Sequence, residues 1–369
     1  MRVLVTGGAG FIGSHTVDAL LRRGYQVRVL DALVPPVHAV QGRPPHLAPE
    51  AELVVGDVRR REDWEQALAG VGAVIHLAAY QDYLLDFSRF AHVNDLGTAL
   101  LYEVAVANRL PLRKVVVGSS QAVYGEGRYA CPVDGPQFPD PRTLEQLRRG
   151  RWEIPCPRCG RVMEPGWTDE TLVAPHNQYA VSKYAQELYA RTLGRLHAIP
   201  TVVLRYSIVQ GPRQSPSNAY SGVLRVFGSR LLRGLPPIVY EDGRQIRDYV
   251  AIDDVVEANL LVLERQAADG EVFNVGGDRA VTVLEYAGML CELLGAELEP
   301  EMSGEFRLGD VRHIRSDVSK LKALGWQPKT GLRQVASAYL AWLQSLGFHD
   351  HTEEALERMR RLGVLRRAE

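Results

Sequence analysis

The sequence is short of the features that mark secreted, membrane-spanning and nucleic-acid-binding proteins. Its 43 Lys and Arg residues nearly balance 44 Asp and Glu, which excludes a bulk electrostatic attraction to nucleic acid or anionic lipid. Its apolar runs are far shorter than the roughly 18 to 20 residues of a membrane span, and Met1 leads almost directly into a strand rather than a signal peptide. Only four cysteines occur, which argues against a disulfide framework. We therefore expect a cytoplasmic protein with no nucleic-acid or membrane partner.

The first third of the chain alternates short β-branched runs with amphipathic stretches, which is typical of a parallel sheet covered by helices on both faces. The predicted strands are Arg2 to Thr6, Gln26 to Leu30, Leu53 to Val55, Ala73 to Leu77 and Lys114 to Val117. The predicted helices are Phe11 to Arg23, Glu62 to Ala69 and Thr98 to Arg109. Since one core usually splits beyond roughly 250 to 300 residues, 369 residues also predict a second lobe.

The segment TGGAGFIG, Thr6 to Gly13, lies between the first predicted strand and the first predicted helix. Gly7, Gly10 and Gly13 permit a tight turn there, so that backbone N–H groups and the helix dipole can hold a pyrophosphate. A glycine triplet alone also fits an ordinary tight loop. Its position at the first strand-to-helix junction favours dinucleotide binding.

Acidic residues follow the next two predicted strands. Asp31 ends the second strand, about 20 residues after the glycines, where a carboxylate can accept hydrogen bonds from the adenosine ribose hydroxyls. A 2′-phosphate would meet its negative charge, so NAD is favoured over NADP; the alternative is a loop-capping aspartate. Asp57 and Val58, just past the third strand, are placed to flank the adenine, although a turn aspartate explains Asp57 almost as well.

Tyr179 and Lys183 lie four residues apart in a predicted helix, Asn177 to His197, and so share one face. A phenol with a pKa near 10 is a poor base at neutral pH, but an adjacent ammonium and a positive nicotinamide ring favour its ionised form. The pair therefore predicts a general base, although a packed tyrosine beside a solvated lysine has the same spacing. Ser119 and Ser120 end the fifth strand at the sheet edge where ligands bind, which favours the catalytic interpretation.

The predicted fold is α/β: a Rossmann-like doubly wound parallel sheet with a smaller mixed α/β C-terminal substrate lobe and a ribbon-like insertion. Residues 1–180 are expected to form the NAD-binding domain, interrupted by an insertion at 126–175 without core elements. Residues 181–346 are expected to form a substrate-binding lobe interleaved with that domain. Residues 347–369 predict a helical tail, in which Thr352 to Arg361 either packs on the protein or frays.

Several motifs extend these observations along most of the chain. They are TGGAGFIG, Asp31, HLAAY at His76, VNDLGT at Val93, SSQAVYG at Ser119, YAVSK at Tyr179, LRYSIVQGPRQ at Leu204, EDGRQIRDYV at Glu241, FNVGG at Phe273 and RLGDVRHIRSDVSK at Arg307. In these motifs the chain resembles the nucleotide-sugar epimerase and dehydratase family of extended short-chain dehydrogenases. The resemblance runs to about Lys329 and leaves out the insertion and the tail. It implies an NAD-dependent enzyme that acts on a nucleotide-activated sugar.

The resemblance implies roles for the matching residues. It makes Ser120, Tyr179 and Lys183 catalytic, places Lys183 also on the nicotinamide ribose, and places Asn94 near the nicotinamide. The predicted cofactor-binding residues are Gly7, Gly10, Phe11, Ile12, Gly13, Asp31, Asp57, Val58, Leu77, Ala78, Ala79, Asn94, Ser119, Tyr179 and Lys183.

The resemblance also implies a site for the nucleotide sugar. Arg247 and Arg307 match arginines that hold the substrate diphosphate, a role that suits a guanidinium fork. Asp82 and Tyr83 are placed to line the hexose pocket, or equally to pack the lobe interface. The predicted substrate-binding residues are Gln81, Asp82, Ser120, Gln121, Arg247 and Arg307.

The residues after Ser120 distinguish reactions within the resembled family. Relatives that dehydrate dTDP-glucose carry an acidic pair there, whereas this chain has Gln121 and Ala122. UDP-glucuronate decarboxylases carry Glu, and 3,5-epimerases of GDP-mannose carry Cys, where Ala122 stands. We therefore expect 4-epimerisation: Tyr179 removes a hydroxyl proton, NAD takes hydride from the fourth carbon, and the 4-keto sugar turns and receives hydride on its other face.

Two residues depart from the resembled pattern and alter the predicted sugar or phosphate pocket. Ile208 stands where many relatives have Asn, and Gln210 replaces a common Tyr. The segments Gln214 to Tyr220 and Ser229 to Gly234 look most like those of dTDP-L-rhamnose 4-epimerases, while a UDP-hexose stays open as the substrate.

The insertion contains two similar segments, CPVDG at Cys131 and CPRCG at Cys156. Each resembles a metal knuckle, and Cys131, Asp134, Cys156 and Cys159 would complete a tetrahedral site for a structural zinc ion. A degenerate ribbon packed without metal stays open. Because the insertion connects the serine-bearing strand to the tyrosine-bearing helix, we expect it to shape the rim of the cleft.

Two other hypotheses remain. A one-way nucleotide-4-keto-sugar reductase would use the same three residues with NAD(P)H, and Asp31 disfavours it because such reductases often prefer NADPH. A non-catalytic dinucleotide-sensing or scaffold protein would use the ribbon to bind a partner, and the intact Ser, Tyr and Lys set argues against it. The resemblance also implies a homodimer joined through the predicted helices Thr98 to Arg109 and Asn177 to His197.

Overall fold

A seven-stranded sheet forms the centre of the protein, and in the part of the chain that the structure describes four smaller sheets accompany it. The computed structural model describes residues 1–35, 37–38, 42–82, 85–216, 222–277, 279–347 and 352–369. The strands of the first half are β1 (Arg2–Thr6), β2 (Gln26–Asp31), β3 (Glu52–Val55), β4 (Ala73–His76), β5 (Lys114–Ser120), β6 (Tyr129–Cys131), β7 (Gly135–Gln137) and β8 (Glu164–Pro165). Those of the second half are β9 (Thr201–Tyr206), β10 (Ile208–Gln210), β11 (Ile238–Val239), β12 (Ile246–Ala251), β13 (Val272–Val275), β14 (Ala280–Thr282), β15 (Glu301–Met302), β16 (Glu305–Arg307) and β17 (Leu365–Arg367).

Helices cover the sheets. A π-helical segment, Ala91–Leu96, joins the third helix of the chain to the fourth. The helices before residue 200 are α1 (Phe11–Arg22), α2 (Arg61–Leu68), α3 (Phe87–Phe90), α4 (Gly97–Ala107), α5 (Leu144–Arg148) and α6 (Gln178–Leu196). The later helices are α7 (Gly222–Leu232), α8 (Ile252–Glu264), α9 (Val283–Leu294), α10 (Ser319–Ala323), α11 (Leu332–Ser345) and α12 (Thr352–Arg361). Among the described residues, no helix combines the length and apolar character that crossing a bilayer requires.

The central sheet is parallel, with the strand order β13-β9-β5-β4-β1-β2-β3. Successive residues of each strand enter different cores. Val3 and Val5 pack in a core with residues of α1 and α8, while Leu4 packs with residues of α2, α4 and α6. Burial on both faces explains why the strands are nearly continuous apolar runs. The predicted Rossmann-like α/β fold is confirmed, and β9 and β13 bring the second half of the chain back into this sheet.

The strand order reverses at β1, because β2 and β3 lie on one side of it and β4 and β5 on the other. In doubly wound sheets a crevice opens outside the carboxyl ends of the strands at such a switch point. Thr6 ends β1 and His76 ends β4, and the two are paired in register. The glycine-rich turn that follows Thr6 therefore lies at the mouth of this crevice.

A second lobe is built on the three-stranded sheet β10-β12-β14, in which β10 pairs parallel to β12 and β14 pairs antiparallel to it. Helices α7, α9 and α11 close one core with this sheet, including the buried rings of Tyr249, Tyr286 and Tyr339. Most residues of this core lie on the three helices, so helix packing supplies most of the apolar core of the lobe.

The insertion folds into a ribbon of three antiparallel strands in the order β7-β6-β8, with α5 after β7. A small core of its own contains Tyr129, Cys131, Ile154, Cys156 and Met163. The segment is the ribbon-like insertion that the sequence predicts, but the expectation that it lacks core elements is wrong. Its strands are only two or three residues long, too short to show a periodicity in the sequence.

The C-terminal segment, residues 352–369, is packed rather than frayed. Its helix α12 buries Leu356 and Met359, and its strand β17 pairs antiparallel with β16. The segment thereby extends the second lobe.

Candidate active site

One cavity, of about 780 Å³, extends from the turn after β1 to helix α12. Asp82 and Asn94 are not among the residues that line it, and Tyr83 and residues 217–220 lie outside the described residues. The predicted site residues that do line it are Gly7, Gly10, Phe11, Ile12, Gly13, Asp31, Asp57, Val58, Leu77, Ala78, Ala79, Gln81, Ser119, Ser120, Gln121, Tyr179, Lys183, Arg247 and Arg307.

At the turn between β1 and α1, Gly7 and Gly13 have no space for a side chain. Gly7 has a φ of +65°, and a Cβ added to it would lie 2.9 Å from the backbone nitrogen of Ala78. A Cβ added to Gly13 would lie 2.1 Å from the carbonyl oxygen of Gly7. The first turn of α1 therefore lies directly against the end of β1, where its N–H groups and the helix dipole can hold an anion. This cradle fits the pyrophosphate of a dinucleotide.

Asp31 is held at the end of β2 by backbone hydrogen bonds. The amide of Ala9 donates to its Oδ2 at 3.0 Å, and the amide of Leu33 donates to its Oδ1 at 3.0 Å. Asp57 is instead engaged by Arg59; burial opposes its ionisation, but hydrogen bonds from Arg59 outweigh this and lower the pKa of Asp57. Asp31 is thus the better fixed acceptor for ribose hydroxyls.

The end of β5 is fixed by a buried ion pair. Ser119 Oγ donates to Glu187 Oε1 at 2.5 Å, and Arg205 Nη2 donates to Glu187 Oε2 at 2.8 Å. The Arg205 and Glu187 side chains are 1% and 0% exposed. Because these residues lie on β5, α6 and β9, the pair fixes α6 against the sheet and so fixes Tyr179 relative to Ser120.

Tyr179 lies in the first turn of α6 and is half-buried in the cavity wall. Asn177 caps this turn by accepting a hydrogen bond from the amide of Ala180 at 2.8 Å. Lys183, one turn later, is buried; its Nζ donates to the carbonyl oxygen of Gly118 at 2.5 Å and also to Gln186.

Burial lowers the pKa of Lys183 to about 8, although Glu187 and Asp95 act in the opposite direction. At neutral pH the lysine still carries a proton. A buried ammonium one helical turn from Tyr179 favours the ionised phenol, since attraction between opposite charges is stronger where water is excluded. The arrangement can therefore move a proton at the tyrosine oxygen.

Asn94 is fully buried in the π-helical segment and contacts the backbone of Tyr80 and the hydroxyl of Ser182 instead of lining the cavity. Its Oδ1 accepts a hydrogen bond from the amide of Tyr80 at 2.7 Å, and its Nδ2 donates to Ser182 Oγ at 2.8 Å. Through these bonds it joins the residues after β4 to α6. π-Helical segments are frequent near functional sites.

Arg247 and Arg307, the predicted diphosphate residues, both reach the cavity but are held differently. Arg247 Nη1 donates to the carbonyl oxygen of Arg312 and Nη2 to that of Val311, each at 3.0 Å. Arg307 pairs with Asp310 through Nε and Nη2, each 2.8 Å from Oδ2. The backbone therefore fixes Arg247, while a neighbouring carboxylate orients Arg307.

Ile208 and Gln210, the two residues that depart from the resembled pattern, have different surroundings. Ile208 is half-buried in the cavity wall. Gln210 is 1% exposed and accepts a hydrogen bond from the Tyr286 hydroxyl at 2.9 Å, inside the second lobe. Of the two, only Ile208 is among the described residues lining the cavity.

A buried charge cluster behind Arg247 was missed by sequence analysis. Arg142 and Arg312 both donate to the carboxylate of Glu241, with contacts of 2.8 to 2.9 Å, and Arg312 also donates to Glu153 at 2.5 Å. The Arg142 and Arg312 side chains are 1% and 0% exposed. Arg142 and Glu153 come from the insertion, so the cluster ties the ribbon to the second lobe. A charged residue in a loop carries no local signal for such a distant partner.

The four predicted metal ligands do come together in the ribbon. The ligand atoms of Cys131, Asp134, Cys156 and Cys159 all lie within 4.8 Å of one another. Cys131 Sγ lies 3.4 Å from Cys159 Sγ, and Cys156 Sγ lies 3.2 Å from Asp134 Oδ2. Zn–S bonds of about 2.3 Å in a tetrahedron would space sulfur atoms by roughly 3.8 Å, so the geometry fits such an ion.

The sequence matches the NAD dependent epimerase/dehydratase family over residues 3–143 and 159–276. The unmatched stretch between them lies within the ribbon. The chain is 37% identical over 349 residues to the dTDP-L-rhamnose 4-epimerase of Burkholderia thailandensis, a match that covers 93% of this chain and 94% of that protein.

Solved structures of similar sequence have the same fold. The UDP-glucose 4-epimerase of Thermotoga maritima with UDP-glucose has a TM-score of 0.76 at 32% identity, covering 94% of this chain and 99% of that one. The Thermus thermophilus UDP-glucose 4-epimerase in complex with NAD has a TM-score of 0.72 at 30% identity, covering 94% and 100%. With its glycine cradle and its Tyr179 and Lys183 pair on one cavity, this chain belongs to the NAD dependent epimerase/dehydratase family.

Proposed function

We propose that the protein inverts the fourth carbon of a nucleotide-activated hexose, using NAD, through a transient 4-keto sugar. The observation that carries this proposal is that Ser120, Tyr179 and Lys183 line the same cavity as the glycine cradle and the two predicted diphosphate arginines. The names of the similar proteins agree, since they are 4-epimerases of dTDP-L-rhamnose and UDP-glucose.

Each residue has one task in this reaction. NAD, which the glycine cradle and Asp31 would hold, would supply the hydride acceptor and donor. The Tyr179 oxygen removes the proton of the fourth hydroxyl and later gives it back, and the Lys183 ammonium keeps that oxygen ionised. Ser120, held by the amide of Ala122 at 3.1 Å, orients the reacting oxygen.

The residues next to Ser120 support epimerisation over dehydration. Dehydration across the fifth and sixth carbons needs an acid and a base beside the hydroxyl, and here Gln121 and Ala122 line the cavity. Gln121 Oε1 accepts a hydrogen bond from Ser316 at 3.4 Å, and neither its amide nor the methyl group of Ala122 can serve as that acid or base.

The test is to incubate the purified enzyme with a panel of UDP-, dTDP- and GDP-hexoses and to read the product stereochemistry by NMR. We expect a dTDP-hexose such as dTDP-L-rhamnose, or a UDP-hexose, to be inverted at the fourth carbon with no net change in NAD. Tyr179→Phe should lose activity by roughly 10² to 10⁴-fold, whereas Tyr25→Phe, whose hydroxyl donates to Glu264 and which is not among the residues that line the cavity, should not. Net NADH consumption would instead indicate the reductase.

We also propose that the ribbon holds a structural zinc ion through Cys131, Asp134, Cys156 and Cys159. Native protein should contain one zinc per chain by mass spectrometry of metals. Cys156→Ser should lose it, while Cys291→Ser, a buried thiol on α9, should keep it. Zinc-free native protein would leave a ribbon packed without metal.

We further propose a cytoplasmic homodimer joined through α4 and α6. The exposed apolar residues Val181, Leu188, Tyr189 and Leu196 recur on α6 at helical spacing and support such a surface. Leu188→Glu should give a monomer in light scattering, and Leu284→Glu, an equally conspicuous exposed leucine on α9, should not. A monomeric wild-type protein would contradict the proposal.

A further inference from the structure

The C-terminal segment is bound tightly to the strand that carries Arg307. Leu365 of β17 is in register with Arg307, and the amide of Ala368 donates to the carbonyl oxygen of Gly304 at 3.0 Å. Arg360 of α12 binds the Glu305 carboxylate through Nε and Nη2, at 2.7 and 3.0 Å. These contacts hold α12 in a fixed place next to the cavity.

The inner face of α12 lines the same cavity as the predicted catalytic residues. Thr352, where the helix begins, accepts a hydrogen bond from the buried Arg225 at 3.3 Å. Apolar side chains of α12, of the C-terminal end of α11 and of β11 line the same cavity. They are Ala355, Leu356, Met359, Trp342, Leu346 and Ile238.

The order of contacts places this apolar end beyond the arginines, as seen from Tyr179. Gln121, beside Ser120, contacts Ser316. Preceding that serine, Val311 and Arg312 hold Arg247. Earlier still, Arg307 is paired with the C-terminal strand.

A nucleotide sugar has the same order: hexose, diphosphate, nucleoside. With the hexose at Tyr179 and the diphosphate on Arg247 and Arg307, the nucleoside extends towards α12. The face of a pyrimidine is apolar and packs well on aliphatic and thioether groups, and the thymine methyl group adds buried apolar area.

We propose that α12 forms the wall that receives the nucleobase and that Met359 and its apolar neighbours favour thymine over uracil. This inference rests on the proposed function and names its nucleotide. It makes the C-terminal segment a determinant of substrate specificity.

A photolabel locates the nucleobase without requiring turnover. NAD-loaded wild-type protein is irradiated with 5-azido-UDP, in which the azide occupies the position of the thymine methyl, and the labelled peptide is sequenced. We expect the label between Thr352 and Met359, with protection by excess dTDP. Labelling confined to other segments would overturn the proposal.

Calorimetry with dTDP and dUDP, which differ only in the methyl group of the base, tests the preference. The wild-type protein should bind dTDP roughly fourfold or more tightly than dUDP, as one buried methyl group predicts. Met359→Ala should weaken dTDP binding roughly tenfold and reduce this preference, and Met359→Leu should retain it. Glu357→Ala, on the exposed face of the same helix, is the control. Equal binding of both nucleotides by wild type and Met359→Ala would contradict the proposal.

The two proposals fail separately. If the wild-type protein is labelled on α12 but inverts no nucleotide sugar, the proposed reaction is wrong and the nucleobase wall stands. If it inverts a nucleotide sugar while the label lies elsewhere, only the nucleobase wall is wrong. Thermal unfolding of each variant separates a lost contact from a lost fold.

Discussion

The two ends of the cavity are built in different ways. The cofactor end is formed mainly by backbone. The segment from Thr6 to Gly13 turns so tightly that a Cβ on Gly13 would overlap the carbonyl of Gly7. The substrate end is formed mainly by side chains. Arg247 lines it and is held by backbone carbonyls, and behind it the buried Arg142 and Arg312 are held by carboxylates.

This difference determines how each end tolerates change. A backbone cradle has no spare volume, so an added methyl group is enough to damage it. A side-chain network can lose one contact and keep its shape, unless the lost partner leaves a buried charge uncompensated. We therefore expect steric changes to act mainly at the cofactor end and charge changes mainly at the substrate end.

The largest expected effect is the loss of NAD binding in Gly13→Ala. The added Cβ would lie 2.1 Å from the carbonyl oxygen of Gly7, so α1 must move away from β1. Gly288→Ala, in helix α9 with nothing within 4 Å of the new Cβ, is the matched control and should add up to about 1 kcal/mol of stability. Fluorescence titration measures the NAD affinity of both variants. Normal NAD affinity in Gly13→Ala would contradict the expected sensitivity of the cofactor end to steric change.

The second largest expected effect is a loss of stability in Arg312→Met, which disrupts the buried charge cluster. Removing this guanidinium leaves Glu241 with one partner fewer and should cost about 3 to 5 kcal/mol in the free energy of unfolding. Arg333→Met breaks a pair with Glu292 whose side chains are 58% and 65% exposed, and little change is expected. Urea unfolding of both variants tests this, and equal losses would show that burial does not matter here.

The pH dependence of turnover should reveal Lys183. Its pKa is lowered to about 8 by burial, so the ammonium is present below that pH and lost above it, and kcat should fall about tenfold per pH unit beyond the midpoint. The same shift makes the folded protein bind fewer protons than the unfolded chain between pH 8 and about 10, so the stability cost of this burial fades as pH rises. Lys183→Arg, charged throughout, should lack the alkaline fall in whatever activity it retains. A flat wild-type profile to pH 10 would contradict the assignment.

The smallest expected effect concerns the choice of sugar. Ile208→Asn places a hydrogen-bonding group in the cavity wall and should change the ratio of kcat/KM between hexoses by roughly tenfold or less. Gln210→Met, buried against the Tyr286 hydroxyl, should cost stability of about 1 to 3 kcal/mol and leave that ratio unchanged. A changed ratio in Gln210→Met would mean that the second lobe transmits strain to the cavity.

The features that the sequence predicted are formed by residues close together in the chain, as the cofactor end is. The glycine turn, the strands of the sheet and the spacing of Tyr179 and Lys183 are local patterns, and the structure contains each of them where expected. The structure also brings together Cys131, Asp134, Cys156 and Cys159, which the sequence indicated because two segments of the insertion repeat a short motif.

Long-range features escaped prediction. The pairing of Arg142 with Glu241 joins residues 99 positions apart, and no local rule indicates it. The wall that α12 adds to the cavity depends on the pairing of β17 with β16, two strands of three residues each. Asn94 was assigned to the nicotinamide from a motif, yet its full burial gives it a positioning contact with Ser182.

The most direct test of the central claim is the fate of deuterium at the fourth carbon of the nucleotide sugar. If hydride leaves this carbon and returns to its opposite face within one cavity, without exchange with solvent, the inverted product should retain the deuterium in ordinary water. NMR of the product should show full retention at the fourth carbon. Loss of the deuterium to solvent, with protium at the inverted carbon, would contradict the account.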